Sequence, residues 1–409
     1  MPTFLHTADW QIGKLYGQFE PDEAALLAEE RFAAVERLAA LAASRGADFV
    51  LVAGDVFDAQ TVADRTIHRL FNAMAGYAGP WVLLPGNHDA ALAESVWTRA
   101  QRLQAVPANV RLCLAPAPLA LEAAGAVVLP APLTQRHTHE DLTQWFAGAD
   151  TPAGMARIGL AHGSVQGLLA ESIDSPNPIA ADRARQARLD YLALGDWHGT
   201  RQVDARTWYA GTPETDRFRA NESGQALWVE LAGPGALPAV TPLRTGRYAW
   251  RDEAMELRVP SDVDEALRRL AAYGQDEVAQ LALSGQVDLA GHERLRQAVE
   301  QARGRARSVA ADLSALRLAP TAEDIEAMRA DGYLGAAVDA LRAAQDGPDA
   351  ERARDALVIL AELLGPARGA PQAAGTSRPG SRPGAADAPL AAAASLPEGL
   401  PPPGSGDAP

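Results

Sequence analysis

The strongest indication of the fold is FVLVAGDVFD, which runs from Phe49 to Asp58. Its first half is uninterrupted apolar sequence and predicts a short buried strand, and the glycine that follows predicts a sharp turn. The carboxylates of Asp55 and Asp58 come directly after that glycine. Loops at the carboxyl ends of strands gather the chemistry of layered α/β sheets. These residues therefore predict a buried strand that presents acidic groups at one edge of a sheet.

Strands and helices alternate on both sides of this strand over the first 215 residues. The segment Glu23–Ser44 has apolar residues at helical spacing and stops at Gly46, and Thr61–Ala75 is predicted as the next helix. The predicted strands are Thr3–Thr7, Phe49–Ala53, Trp81–Leu84, Val110–Leu114, Ala126–Leu129, Ile158–Ala161 and Tyr191–Leu194. This alternation is typical of an α/β layered sheet.

The pattern changes after residue 225. A β-rich segment, Gln225–Leu257, is followed by two predicted helices, Ser261–Tyr273 and Gly291–Gly304, on either side of the alternating segment Val278–Val287. These elements predict a small α+β unit.

The last part of the chain divides into two. The segment Thr321–Leu364 has a helical pattern and is either a partner-binding segment or a helical pair that packs on its own domain. From Gly365 onward, Pro, Gly, Ala and Ser dominate. Such a composition cannot bury enough apolar surface to fold, so we expect a disordered tail.

Composition excludes several classes of protein. The 409 residues carry a formal net charge of −15, which disfavours a protein that coats nucleic acid on its own. One cysteine, Cys113, cannot form an internal disulfide. The first residues lack a signal-peptide pattern, and no long apolar run suggests a membrane span. We therefore expect a cytoplasmic protein that does not interact with membranes.

Five short motifs fall at or just after the ends of predicted strands. They are His6-Thr7-Ala8-Asp9-Trp10-Gln11, Gly54-Asp55-Val56-Phe57-Asp58, Gly86-Asn87-His88-Asp89, His162-Gly163 and Gly195-Asp196-Trp197-His198-Gly199. Carboxylates, imidazoles and a bridging oxygen are the set that two hard divalent ions need when they lie about 3.5–4 Å apart. The motifs together predict a metal centre.

The order and wording of these motifs resemble the calcineurin-like metallophosphoesterases over the span from Met1 to about Pro213. The resemblance implies an α/β fold, a four-layer β-sandwich flanked by helices, with a small α+β cap domain and a disordered C-terminal tail. We expect a catalytic domain over residues 1–250, the cap domain over 251–318, a helical segment that could bind a partner over 319–364, and the tail over 365–409.

The resemblance also implies two metal ions bridged by Asp55. The implied ligands are Asp9, Asp55 and His198 for the first metal, and Asp55, Asn87 and His162 for the second. We expect Mn²⁺, with Mg²⁺ or Fe²⁺ as alternatives, and in-line attack on phosphorus by a hydroxide that the two cations activate.

Two positions depart from the family pattern. Gln11 stands where the family commonly has histidine, and Asp196 stands where another histidine is common. Asp196 is a competent hard ligand and is expected to bind the second metal. A neutral amide attracts a cation less than a carboxylate or imidazole does, so Gln11 predicts either a looser first metal or a damaged site.

The resemblance assigns His88 to catalysis rather than to metal binding. It would lie near the scissile phosphate and protonate the leaving alkoxide or stabilise its charge. Asp58 would orient His88 by a hydrogen bond, although it could instead cap the helix that follows. His6 is expected to pack behind the ligands, and His137 and His139 to lie in a solvated loop.

Within the superfamily, the opening FLHTADWQIGK, the wording GDVFD and the additional α+β unit favour the SbcD-like DNA repair branch. The expected function is a Mn²⁺-dependent DNA exonuclease or endonuclease that acts on DNA together with an SbcC-like coiled-coil ATPase. A small-molecule or cyclic-nucleotide phosphodiesterase is the alternative, and a scaffold with a decayed metal site is a third. The sequence does not fix the oligomeric state and is compatible with a homodimer.

Overall fold

The computed structural model describes residues 1–167, 176–318, 333–344 and 348–364. The tail that we expect to be disordered, from Gly365 onward, lies outside these residues, as do 319–332 and 345–347 of the predicted helical segment. None of the helices in the described ranges is both long enough and apolar enough to cross a membrane.

The described strands are numbered in chain order. They are β1 (Thr3–Thr7), β2 (Phe49–Ala53), β3 (Trp81–Leu84), β4 (Val110–Leu112), β5 (Leu119–Leu121), β6 (Ala126–Ala131), β7 (Ala156–His162), β8 (Ser164–Val165), β9 (Pro178–Ile179), β10 (Tyr191–Gly195), β11 (Arg201–Gln202), β12 (Thr207–Tyr209), β13 (Gln225–Glu230), β14 (Ala239–Arg244), β15 (Ala249–Leu257), β16 (Glu277–Val287) and β17 (Ser308–Leu318). The described α-helices are α1 (Pro21–Arg45), α2 (Asp64–Ala73), α3 (Val96–Arg102), α4 (Arg183–Gln186), α5 (Pro260–Ala272), α6 (Leu289–Arg303), α7 (Tyr333–Ala344) and α8 (Ala350–Leu364).

Two six-stranded mixed sheets form the main body. The first has the order β14-β13-β1-β2-β3-β4, and the second has the order β11-β12-β10-β7-β6-β5. In the first sheet β1 is central: it pairs with β2 in parallel and with β13 in antiparallel orientation, where Thr3 lies opposite Glu230. In the second sheet β6, β7, β10 and β12 are parallel neighbours. The carboxyl ends of the central strands of both sheets therefore carry the loops that hold the predicted motifs.

The two sheets pack face to face with helices outside. Phe4, Phe49, Ile158 and Tyr191 belong to the apolar core between the sheets, and Phe4 stacks on Phe49 with ring centroids 4.8 Å apart. Helices α1 to α3 cover the outer face of the first sheet. Helix α4 and the 3₁₀ turn Gln144–Gly148 cover the second. This arrangement confirms the predicted four-layer α/β sandwich flanked by helices.

The chain beyond β14 builds a third sheet. Strands β15, β16 and β17 are parallel and lie in that order. Helices α5 and α6 pack on this sheet, and an apolar core is buried between the helices and the strands. At the junction with the sandwich, the ring of Trp250 lies 4.8 Å from that of Phe218 and 5.5 Å from that of Phe19. The small sheet therefore joins the main body through an aromatic contact.

Several predicted elements have the bounds seen in the structure, and others differ. The strands at Thr3–Thr7, Phe49–Ala53 and Trp81–Leu84 match. The helix predicted from Thr61 starts instead at Asp64, because the backbone of Ala63 before it is extended, with φ −67° and ψ 152°. The short elements α3, α4, β5, β8, β9, β11 and β12 and the long strand β17 were not predicted.

Candidate metal centre

The predicted motifs meet where the carboxyl ends of both sheets face each other. Asp9 follows β1, Asp55 follows β2 and Asn87 follows β3, whereas His162 ends β7 and Asp196 follows β10. The first three come from one sheet and the last two from the other. Residues up to 187 positions apart are thereby in contact: the backbone N–H of Asp196 donates to Asp9 Oδ1 over 3.0 Å.

Two glycines of the motifs make this approach possible. A Cβ atom at Gly54, where φ is +90°, would lie 2.2 Å from His162 Nδ1. A Cβ at Gly86 would lie 2.2 Å from Asp55 Oδ1. Real side chains cannot come so close. Only glycine at these two positions therefore leaves room for the imidazole of His162 and the carboxylate of Asp55.

Backbone strain concentrates in the same loops. Ten non-glycine residues in the described part of the chain have positive φ, and half of them are predicted ligands. These five are Asp9, Gln11, Asp55, Asp196 and His198. Such conformations cost on the order of 1–3 kcal/mol each and persist where surrounding structure enforces them. Their clustering is typical of a functional site.

Asp9, Asp55 and His162 form the centre of the cluster. Each offers a ligand atom, and these atoms all lie within 4.8 Å of one another. All three side chains are buried. Burial raises the pKa of Asp9, while the nearby imidazoles of His198 and His162 partly offset that rise. Buried carboxylates at this spacing need compensating positive charge, which a metal ion or a protonated imidazole can supply.

His162 is held by the main chain. Its Nδ1 lies 2.8 Å from the carbonyl oxygen of Ala53, and since a carbonyl can only accept, Nδ1 carries the proton. Nε2 is therefore the nitrogen that could lose its proton and bind a cation, and it lies 3.5 Å from Asp55 Oδ1. Although burial alone would lower it, the carboxylates of Asp55, Asp9 and Asp196 raise the pKa of His162 to about 9. The pocket thus has a strong affinity for positive charge.

Asn87 fits a cation ligand. Its amide group points into the cluster, 3.0 Å from His162 Nε2 and 3.1 Å from each carboxylate oxygen of Asp55. With its oxygen inward the amide would face a cation; turned by half a turn, its NH₂ group would donate to Asp55 and to His162 Nε2. The donor set therefore fits an oxygen-preferring divalent metal.

Gln11 lies in the cluster as well. It is buried, its Nε2 donates to Asp55 Oδ2 over 2.8 Å, and its backbone N–H donates to the Asp55 carbonyl over 2.9 Å. Gln11 therefore touches the carboxylate that is predicted to bridge the metals. Rotation of the amide by half a turn would present its oxygen to a cation at the same place.

Asp196 lies at the opposite side of the cluster and is partly exposed. Its Oδ1 lies 3.7 Å from His162 Nε2, and its Oδ2 accepts a hydrogen bond from the Ser164 hydroxyl over 3.2 Å. The carboxylate thus faces His162, the residue that the sequence predicts to share a metal with it.

His198 is held by charged side chains. Its Nδ1 lies 3.1 Å from Asp216 Oδ2, and that carboxylate also accepts a hydrogen bond from Lys14 Nζ over 2.5 Å. The guanidinium of Arg217 lies 2.6 Å from His198 Nδ1. Burial alone would raise the pKa of Asp216. The hydrogen bond to His198, with the charges of His198, Arg31 and Lys14, outweighs burial and holds that pKa well below its usual range.

His88 is the exposed imidazole of the site. Its backbone N–H donates to Asp55 Oδ1 over 2.9 Å, its Nε2 lies 3.9 Å from Asp55 Oδ2, and 31% of its side chain is exposed. Its Nδ1 donates to the backbone carbonyl of Asp58 over 2.7 Å. The hydrogen bond expected from Asp58 is therefore made by the main chain, and Asp58 does not cap α2, whose N-cap is Ala63.

Sequence reasoning missed three supporting residues. Asp89 is buried, and its carboxylate accepts hydrogen bonds from the backbone N–H groups of Phe57 and Gly86, joining two motif loops. Burial and the neighbouring Asp55 raise its pKa to about 7. Its place at the end of the GNHD motif is the feature of the sequence that could have identified Asp89. Asp216 was the second residue missed, and no local pattern marks it.

The third is Arg31, a buried residue of α1. Its guanidinium donates to the carbonyl oxygens of Trp10 and Asp9 over 2.6 and 3.0 Å and to the hydroxyl of Thr212 over 2.9 Å. It therefore ties the first motif to the loop that follows the last one. An arginine within an ordinary helical pattern gives no sign of this role.

The remaining histidines lie elsewhere. His6 is fully buried between the sheets, with Nδ1 2.9 Å from the Tyr191 hydroxyl. His137 and His139 are exposed and are not part of the cluster.

The arrangement brings together Asp9, Asp55 and His162 as a possible metal site, with other residues that the sequence predicts as ligands around it. Bound divalent cations would act as Lewis acids on a phosphoryl oxygen and lower the pKa of water. The protein itself supplies fixed oxygen and nitrogen donors from Asp9, Asp55, Asn87 and His162, and an exposed imidazole from His88.

Known proteins match parts of this chain. A segment of 114 residues is 37% identical to the D subunit of the nuclease SbcCD of Rhodobacter capsulatus. That segment makes up 26% of this chain and 24% of the relative, so the match spans about a quarter of the relative's length. Among solved structures, TT1561 of Thermus thermophilus aligns with 60% of this chain and 99% of its own, at 13% identity and a TM-score of 0.40.

The family comparison covers a much longer stretch. The model of the calcineurin-like phosphoesterases matches residues 2–293 and so includes all five motifs. The match spans both six-stranded sheets, and it agrees with the resemblance that the motifs carry. The chain belongs to the calcineurin-like phosphoesterase family.

Proposed function

We propose that this chain is a two-metal phosphodiesterase that cleaves DNA and serves as the nuclease component of a DNA repair complex. The observation that carries the proposal is the cluster of buried ligands around Asp55, with one exposed imidazole, His88, beside it. Family membership supports phosphoester hydrolysis. The choice of DNA is supported by the partial identity to a component of the SbcCD nuclease.

Two groups of ligands flank Asp55 in this proposal. The His198 half consists of Asp9, Gln11 and His198, and the His162 half consists of Asn87, His162 and Asp196. Asp55 would bridge the two metals. Hard oxygen donors outnumber imidazoles, which favours Mn²⁺, with Mg²⁺ and Fe²⁺ as alternatives.

His88 is proposed as the catalytic acid. It is the exposed imidazole beside Asp55, and its Nδ1 proton is donated to the Asp58 carbonyl. Nε2 is therefore the atom directed away from that bond, where it can give a proton to a leaving alkoxide or stabilise its charge.

The small sheet of β15 to β17 is proposed as a cap that helps to hold DNA. It joins the sandwich beside the loop that contains Phe218 and follows the last metal motif. Phe218 itself packs against Trp250, so it contributes to the junction rather than to base stacking.

Helices α7 and α8 are proposed to bind an SbcC-like coiled-coil ATPase. Their buried residues include Val338, Ala353 and Leu357, while Ile359 and Leu363 are 57% and 76% exposed. Exposed apolar side chains on a helix pair suit a helical partner. Ile359→Asp together with Leu363→Asp should abolish co-purification with such an ATPase, and unchanged co-purification would place the contact elsewhere.

A small-molecule or cyclic-nucleotide phosphodiesterase remains the second candidate. The observation that favours it is the formal net charge of −15, which repels a long polyanion.

Hydrolysis assays with purified chain and Mn²⁺ test both candidates. Linear double-stranded DNA, bis-p-nitrophenyl phosphate and cyclic nucleotides are compared, with Asp55→Asn as the blank. Release of nucleotides from DNA supports the nuclease, whereas turnover of the small esters alone supports the second candidate. Tight metal binding without any turnover would contradict both.

A further inference from the structure

Two arginines lie on one tryptophan in the loop that carries Asp196 and His198. The Cζ atoms of Arg201 and Arg219 lie 5.1 and 5.5 Å from the ring centroid of Trp197. Guanidinium groups within about 6 Å of an indole centroid are attracted by its negative faces. Trp197 stands between Asp196 and His198 in the chain, so this pair of cations is anchored directly to the loop that carries two predicted ligands.

The backbone holds this arrangement. Arg201 lies on β11, which pairs with β12, and Arg219 lies in the loop that follows Asp216. The two loops touch: the backbone N–H of Thr200 donates to the carbonyl oxygen of Glu222 over 3.2 Å. Gly199 approaches Asn221 so closely that an added Cβ would lie 2.0 Å from its carbonyl oxygen. These contacts therefore fix the main chain of the two segments from which the arginine side chains extend.

The charge of these arginines is available to a ligand. Within the residues that the structure describes, neither Arg201 nor Arg219 forms an ion pair with a carboxylate. Lys14 and Arg217 lie nearby, and both of them pair with Asp216. A chain with a net charge of −15 thus keeps two cations without a carboxylate partner on the tryptophan between Asp196 and His198.

We propose that Arg201 and Arg219 form a phosphate subsite that binds a non-scissile phosphate of a nucleic-acid strand. The inference rests on the proposed function and narrows its substrate to a chain with more than one phosphate. A guanidinium that stacks on an aromatic face keeps its planar set of N–H donors for a phosphate, and it is more weakly hydrated than an ammonium group. The metals hold the scissile phosphate, and the arginine pair holds the strand beside it.

The test compares one substrate that has a single phosphate with another that has many. Rates on bis-p-nitrophenyl phosphate and on a single-stranded oligonucleotide are measured with Mn²⁺ for Arg201→Gln, Arg219→Gln and the double variant. Each single change should lower the ratio of the oligonucleotide rate to the small-ester rate about tenfold, the typical weight of a charge-assisted hydrogen bond.

Arg45→Gln is the matched control. Arg45 also stacks on a tryptophan, with its Cζ 5.6 Å from the Trp228 centroid, but it lies at the end of α1 ahead of β2, whereas the site follows β2. This variant should leave the rate ratio unchanged. An equal fall of both rates in the Arg201 and Arg219 variants overturns the subsite, because it places the arginines in the metal centre or in folding.

Equilibrium binding separates this inference from the proposed function. Affinity for a fluorescein-labelled oligonucleotide is measured at several salt concentrations, whether or not the strand is cleaved. The double variant should bind more weakly, and the slope of log K against log salt should fall by roughly 0.7 for each phosphate that is no longer neutralised. Weaker binding by the double variant supports the subsite even if wild type cleaves no DNA. Equal binding by both proteins, or no binding by wild type, overturns it.

Discussion

The two imidazoles proposed as metal ligands are supported in different ways. His162 donates to the main-chain carbonyl of Ala53, two residues before Asp55. His198 instead contacts Asp216, which also pairs with Lys14. The His162 half is thus fixed by backbone next to the bridging carboxylate, whereas the His198 half depends on charged side chains from distant parts of the chain. Gln11, the neutral ligand position, lies in that second half.

This difference indicates where the site can vary. A backbone carbonyl is available whatever side chain its residue carries, so the His162 half tolerates changes around it. A carboxylate behind an imidazole can be removed by a single substitution. Five substitutions test this division of the site, and they are given in decreasing order of effect.

Asp55→Asn should affect both halves, because Asp55 is the ligand they share. We expect turnover to fall at least about a thousandfold and both metals to bind more weakly, since two cations together contribute several kcal/mol to the transition state. Metal content after dialysis and the rate on bis-p-nitrophenyl phosphate measure this. A variant with near-normal turnover would contradict the bridging role.

His88→Ala should lower the rate but leave metal binding by both halves unchanged. Loss of a general acid typically lowers a rate by about 10²–10⁴-fold. Mn²⁺ stoichiometry, measured on the same sample by elemental analysis, should equal that of wild type. Loss of metal from this variant would make His88 a ligand rather than a catalytic residue.

Asp216→Asn should affect the His198 half alone. Removal of the charge behind a ligand imidazole costs about 10–100-fold in metal affinity. Titration calorimetry with Mn²⁺ should therefore show one weakened and one unchanged binding event. The exposed Asp252→Asn is the matched control and should bind both ions normally. Equal weakening of both events would show that the two halves are not independent.

Gln11→His should strengthen the weaker half. Gln11 already contacts Asp55 Oδ2, so an imidazole at this buried position would face the same point. We expect Mn²⁺ to bind a few-fold to about tenfold more tightly at one site, because imidazole is a better ligand than a neutral amide. Unchanged affinity would indicate that residue 11 does not face the metal.

Asp58→Ala should have the smallest effect. His88 Nδ1 donates to the backbone carbonyl of Asp58, and this bond does not need the carboxylate. The rate should stay within about twofold of wild type, since a substitution that breaks no specific contact usually changes little. A fall as large as that in His88→Ala would restore the side chain to the role predicted from sequence.

Local patterns in the sequence predicted an α/β sheet with its metal motifs at strand ends, and the family resemblance of those motifs predicted the four-layer sandwich. Asp9, Asp55 and His162 then appear together in the structure, with Gln11 and Asn87 in contact with Asp55. Asp216 and Arg31 could not be predicted, because their partners lie many residues away and pairing depends on tertiary structure. Strand β17 was not predicted, because its apolar and polar residues follow no clear strand pattern. Its pairing with the parallel strand β16 is known only from the structure.

The central place of β1 matters during protein synthesis. This strand leaves the ribosome before all the other described strands, yet one of its edges pairs with β13, more than 200 residues later. Likewise, Arg31 can connect the Asp9 loop to Thr212 only after Thr212 has been synthesised. A nascent chain that has not reached Glu230 exposes an unpaired, apolar strand edge, which is a template for aggregation. The metal centre can therefore be completed only after most of the sandwich has been translated, and chaperone dependence should be greatest before that point.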